Sequence, residues 1–180
     1  APAPTSDLNI DALADVVRSI CEANEHQRFV LVGHSMGGAV VLEAACKLRQ
    51  AVAGVLLADT FLINYGELDE ATIGAYYDPF AQDFRAAVNN LVDNCAGEKT
   101  RAETRARLKA GMGAGDPAVM LPLWNSLLRW QPQDALRQCP APIHAINCPL
   151  IPETTRQRLS PFISDTVLPG TGHFLGLDDA

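Results

Sequence analysis

A lone serine lies between two glycines in Gly33-His34-Ser35-Met36-Gly37, where an apolar β-branched run gives way to an alanine-rich segment. A serine hydroxyl is a weak nucleophile. It becomes useful when a tight strand-to-helix turn lifts its oxygen to the carboxyl edge of a sheet, beside a base and backbone amide donors. Such a turn calls for glycine two residues before and after the serine, because side chains there would meet neighbouring backbone. The spacing points to nucleophilic chemistry on Ser35; the plainer alternative is a capping serine at a glycine-rich helix start. His173, in Leu168-Pro169-Gly170-Thr171-Gly172-His173-Phe174, is the matching candidate, since a glycine-bounded loop just past a strand can project an imidazole over the same edge. Of the other histidines, His34 should shape the turn or line a pocket, while His26, in a polar loop, and His144, inside a strand, read as structural.

The elements that must position these groups follow from periodicity. Ser6 and Asp7 offer N-caps to an amphipathic helix over 8–24, with Ile10, Leu13, Val16, Val17, Ile20 and Cys21 recurring at three- and four-residue steps. Phe29–Val32 is a short continuous apolar run, the pattern of a strand buried on both faces. A helix follows from Met36 to about Leu48, then a second buried strand over Val52–Thr60, completing a βαβ unit. Residues 61–139 change to polar helical pieces broken by glycine and proline, with Phe80, Phe84, Ala87, Val88 and Leu91 on one helical face and Leu123, Trp124, Leu127 and Leu128 on another. A third strand is predicted over Ala141–Asn147, a short helix over Glu153–Leu159 and a fourth strand over Asp165–Gly170.

Composition narrows the function classes. The 180 residues are 48% hydrophobic and 19% charged, enough for one globular domain with a substantial core. A net charge of −7 argues against nucleic acid or an anionic membrane as partner, because phosphate binding needs clustered Lys and Arg. The one basic run, Glu98 to Lys109, is interleaved with acids at helical spacing and reads as a solvated face. Five cysteines without a CxxC pair indicate neither a disulfide framework nor a zinc site. No run is long enough to span a bilayer, and the expected location is the cytoplasm.

With the elbow Gly33-His34-Ser35-Met36-Gly37-Gly38 and the histidine loop Leu168–Phe174 in place, the chain resembles the α/β-hydrolase family over nearly its whole length. The resemblance implies a partial α/β-hydrolase fold, a parallel sheet flanked by helices. Residues 1–60 and 140–180 would form the core, and 61–139 a helical cap inserted after the strand that follows the elbow helix. It implies Ser35 as nucleophile, His173 as general base and the Met36 backbone N–H as one oxyanion donor. His34 and Trp124 would contact substrate, and no metal or organic cofactor is implied. Ser35 also argues against dehalogenase and epoxide-hydrolase chemistry, which the family runs with aspartate at the elbow.

The third member of the triad is less legible. Where relatives commonly carry the acid, this chain reads Ile146-Asn147-Cys148-Pro149-Leu150-Ile151. Asp59, at the end of the second strand, is the better alternative and Glu153 the lesser. The family's second oxyanion donor and its earlier strands would lie upstream of residue 1 and a closing helix beyond Ala180, so the resemblance implies a fragment or truncated product. An open edge on the first strand would then invite self-association. The expectation is a serine hydrolase acting on a carboxylic ester or related small, apolar acyl substrate. Carbon–carbon bond hydrolysis, thioester cleavage or acyl transfer on the same triad, and a catalytically inactive fragment, are the alternatives.

Overall fold

The computed structural model describes residues 8–24 and 28–178. Ser6, Asp7, His26 and the last two residues lie outside this range, and with Ser6 and Asp7 the expected caps. Four strands form one parallel sheet in the order β1 (Phe29–His34), β2 (Val52–Ala58), β3 (Ile143–Asn147), β4 (Ile163–Val167). Helix α1 (Ile10–Glu22) precedes β1, α2 (Met36–Leu48) links β1 to β2, and α8 (Glu153–Leu159) links β3 to β4. Between β2 and β3 run α3 (Glu70–Gln82), α4 (Phe84–Cys95), α5 (Ala102–Gly113), α6 (Pro117–Leu128) and α7 (Pro132–Gln138).

Helix α2 is apolar nearly all round and is the most deeply buried of these elements, with Ala39, Leu42, Ala44 and Ala45 fully excluded from solvent. It packs on α1, β1, β2 and α7. Under it, Leu31, Val55, Leu57, Ile143 and Ala145 supply the sheet's share of the core. Phe61, Tyr65 and Trp130 stack beside them, and the Trp130 indole N–H donates to Glu43 Oε1 at 2.7 Å.

Several expected boundaries move. Asn9 caps α1, its Oδ1 accepting from the Ala12 N–H at 2.8 Å. The fourth strand begins at Ile163 and ends at Val167, because Pro169 has no N–H to donate and Gly170, at φ 76°, turns the chain. β1 continues to His34, β2 stops at Ala58 and β3 starts at Ile143. The single face drawn through Phe80–Leu91 is two helices. Asp83 ends α3 and caps α4 through its Oδ1 and the Ala86 N–H.

Two consequences bear on the site. All four strands run the same way and in matched register, His34 opposite Ala58, Ala58 opposite Ile146 and Asn147 opposite Val167. The residues that follow each strand therefore meet at one edge, where parallel sheets place their ligands. Among the described residues β1 pairs only with β2, and its Val30 and Val32 are exposed.

Candidate active site

The turn after β1 is as sharp as the motif demands. Ser35 sits at φ 53°, ψ −124°, a conformation costly for a residue with a Cβ. Its N–H donates to the Ala58 carbonyl at 3.0 Å, and its carbonyl accepts from Gly38 at 2.9 Å. These bonds hold the strained backbone, and the side chain makes no capping bond to α2, which leaves Oγ available. The glycines play different parts from those expected. A Cβ on Gly33 would lie 2.3 Å from the Gly37 carbonyl oxygen, and one on Gly38 would lie 1.8 Å from Thr60 Oγ1. Gly37 has open space around it, so the expected crowding there is corrected: the elbow depends on Gly33 and Gly38.

After β2 the chain turns again at Asp59, φ 49°, a second strained non-glycine residue on this edge. Its N–H donates to the Ile146 carbonyl at 2.8 Å, and its side chain is wholly buried. Oδ1 accepts from the Cys148 N–H at 2.8 Å; Oδ2 accepts from the Cys148 thiol at 3.2 Å and lies 2.6 Å from His173 Nδ1. A buried carboxylate is tolerable only when its lone pairs are used in this way. Burial, then the Asp59 charge, pushes the Cys148 thiol up to about 12, and the same causes push Cys95 up to about 11. Cys148 is thus held as a neutral donor.

His173 is also buried. Its N–H donates to the Cys95 carbonyl at 2.7 Å, and its own carbonyl lies 2.7 Å from His34 Nε2. The His34 ring packs on those of His173 and Phe174. Although His34 keeps some exposed surface, loss of solvent around its ring draws its pKa below the ordinary imidazole value, partly offset by the bond to the His173 carbonyl. Glu153 lies elsewhere: it is an exposed residue at the start of α8, paired with Arg156 at 2.7 Å. His144 bonds Ser164 and Thr166 within the sheet, as a structural histidine does.

Ser35 and Met36 open onto two cavities. One, of about 650 Å³, is also lined by His34, His173, Phe174 and Leu175. The other, of about 320 Å³, is walled by Phe80 of α3, Phe84 and Leu91 of α4, Met112 of α5 and Trp124 of α6. No Asp, Glu, Lys or Arg is among the described lining residues of either. Trp124 reaches the wall with its indole N–H bonded to the Tyr76 carbonyl. Trp130 packs in the core beside Phe61.

Sequence reasoning missed the partners that hold Asp59 and His173. Cys148 stands just past β3, but nothing in the sequence sets it against Asp59, 89 residues away. For Asp178, whose carboxylate accepts from the Gly172 N–H at 2.6 Å, no local pattern existed. Among the described residues no three His, Cys, Asp or Glu side chains gather as a metal-ligand set, and no helix is long and apolar enough to cross a membrane.

The fold recurs widely among solved structures. A bromoperoxidase from Bacillus anthracis superposes with TM-score 0.80 at 18% identity, over 93% of this chain and 68% of that one. An N-acyl homoserine lactone degrading enzyme gives 0.80 at 24%, over 98% and 73%. An esterase from Exiguobacterium antarcticum gives 0.81 at 13%, over 99% and 71%. A comparison with curated proteins returns no significant match. The sequence profile of the alpha/beta hydrolase family matches residues 1–180, spanning both the elbow and the histidine loop. On that match, and on the parallel sheet with its strained serine turn, the chain belongs to the alpha/beta hydrolase family and is an enzyme of the hydrolase type.

Proposed function

We propose that the protein is a serine hydrolase that cleaves a carboxylic ester, or a related small acyl compound, through an acyl-enzyme on Ser35. The observation that carries this reading is the buried contact of 2.6 Å between Asp59 Oδ2 and His173 Nδ1, on the same sheet edge as the strained Ser35, with His173 and Ser35 lining one cavity. Asp59 accepts a hydrogen bond from His173 Nδ1–H, which keeps the proton on Nδ1 and leaves Nε2 free to accept the Ser35 proton. Ser35 Oγ then attacks the carbonyl carbon, and the Met36 N–H at the start of α2 donates to the oxyanion. His173 returns its proton to the leaving alcohol and next activates the water that releases the acid. The proximity of Asp59 to His173 weighs against an inactive elbow-bearing remnant, which would need no acid there.

The helices between β2 and β3 serve in this reading as a cap over residues 61–139, closing the smaller cavity above Ser35. Its uncharged wall favours an apolar, neutral group on the substrate, with His34 and Trp124 in contact with it. The test is labelling with a fluorophosphonate probe, beside hydrolysis of p-nitrophenyl esters. Wild type is expected to label stoichiometrically and turn over, and Ser35→Ala to do neither. Labelling that survives Ser35→Ala removes Ser35 as nucleophile.

A further inference from the structure

The loop bearing His173 is gripped from outside the sheet. At its tip, Gly172 meets Gly97, in the turn between α4 and α5, backbone against backbone. A Cβ on Gly97 would lie 2.2 Å from the Gly172 nitrogen, and one on Gly172 would lie 2.1 Å from the Gly97 nitrogen. The polar groups at this contact form a closed chain. Gly97 N–H donates to Thr100 Oγ1 at 2.9 Å, Thr100 Oγ1 donates to Asp178 Oδ1 at 2.5 Å, and Asp178 Oδ2 accepts from Gly172 N–H at 2.6 Å. The next N–H, that of His173, donates to the carbonyl of Cys95. Lys99 N–H adds a bond to the Gly170 carbonyl at 3.2 Å. Thr100, His173 and Asp178 are all buried, so these bonds cannot be exchanged for water without opening the contact.

We infer that the α4–α5 turn is a latch on the histidine loop, with Thr100 and Asp178 as positioning residues that hold His173 in line with Asp59 and Ser35. Resting on the serine-hydrolase reading for its catalytic meaning, the latch gives the helical segment a second task. Helix α4 presents Phe84, Val88 and Leu91 to the smaller cavity and, one turn further, its terminal Cys95 carbonyl to His173. The wall that would meet substrate and the backbone that seats the histidine are thus one rigid element. Neither Thr100 nor Asp178 reaches the reacting atoms. They act through where His173 stands, and a displacement of about 1 Å at such a site costs on the order of 10²-fold in rate.

The test uses the full chain with Thr100→Val, Thr100→Ser, Asp178→Ala and Asp178→Asn. Thr100→Val removes the hydroxyl link at a distance from the loop and without any change of charge. Asp178→Asn keeps a carbonyl oxygen for Gly172 but turns a donor toward the Thr100 hydroxyl, which needs an acceptor there, so it breaks one link of the chain and keeps the other. The expectation is a fall in kcat of about tenfold for Thr100→Val and about thirtyfold for Asp178→Ala, with KM within about threefold. Thr100→Ser recovers most of the loss, and Asp178→Asn falls between wild type and Asp178→Ala. In the proton NMR spectrum, the downfield signal of the His173 Nδ1 proton shared with Asp59 is lost or exchange-broadened in Thr100→Val and Asp178→Ala and retained in Thr100→Ser. That signal reports on the latch even if the ester and probe assays show no turnover, so failure of the hydrolase reading and failure of the latch are separable. The inference is overturned if Thr100→Val and Asp178→Ala keep both the signal and kcat within about twofold of wild type. It is equally overturned if any fall in kcat merely tracks a smaller folded fraction by circular dichroism.

Discussion

Replacing Asp59 by Asn changes one atom in the most constrained part of the molecule. The carboxylate accepts from the Cys148 N–H, the Cys148 thiol and His173 Nδ1, and it is wholly buried. An amide there can satisfy the Cys148 N–H with its oxygen, which leaves its NH2 facing His173. A donor at that place forces Nδ1 to become the acceptor and moves the ring proton to Nε2. The imidazole then presents a proton to Ser35 instead of a lone pair, and general-base catalysis stops. Loss of the useful tautomer in a serine triad lowers kcat by about 10⁴, which corresponds to about 5 kcal/mol at 1.36 kcal/mol per decade. The neutral amide removes a buried charge, so the fold should persist, with a melting temperature close to that of wild type. The assay is kcat on p-nitrophenyl butyrate together with the fluorophosphonate labelling rate, each normalised to folded protein by circular dichroism. A variant that keeps kcat within tenfold of wild type would show that Asp59 does not set the tautomer of His173, and the reasoning above would fall with it.

Gly33→Ala should unfold or strongly destabilise the protein, by about 3 kcal/mol or more, because its Cβ meets the backbone of α2; Gly37→Ala should stay within about 1 kcal/mol of wild type. Urea titration of the two variants checks the contrast. For the apolar wall of the smaller cavity, each added acyl methylene contributes at most about 0.8 kcal/mol, a rise of up to about fourfold in kcat/KM, until the cavity is filled; a terminal carboxylate on the acyl chain should abolish the gain. The buried Cys95 and Cys148 thiols, raised to about 11 and about 12, stay neutral in the folded state while they ionise above about 9 when unfolded. Their contribution is therefore complete below pH 9 and lost as pH rises above it, by about 1 kcal/mol per thiol at pH 10; melting temperatures at pH 8 and 10, with Cys148→Ser flattening the difference, measure it. The exposed Val30 and Val32 on β1 should support concentration-dependent self-association, and Val32→Lys should reduce it in sedimentation velocity.

The parts of the site that were legible from the chain are those governed by near neighbours. Gly33 and Ser35 share one turn, and the apolar run, the tight bend and the alanine-rich helix are all short-range consequences of residue type. The histidine loop was legible for the same reason, its glycines standing beside His173. Periodicity likewise placed α2 and the buried strands to within a few residues, and erred where one proline or one capping aspartate decides an end, as at Pro169 and Asp83. What no local pattern could decide was which carboxylate meets the imidazole. Asp59 and Glu153 both follow strands or lead helices, and only the parallel pairing of β2 with β3, and of β3 with β4, brings one of them within 2.6 Å of His173 while sending the other to Arg156 on the surface. The roles of Cys148, Thr100 and Asp178 were hidden likewise, since hydrogen bonds spanning 89 and 78 residues leave no periodic trace. Sequence alone thus determined the sharp turn at Ser35 and the class of fold, because backbone strain and hydrophobic period act over a few residues. Tertiary structure decided the histidine's partners, because those depend on where separate strands end in space.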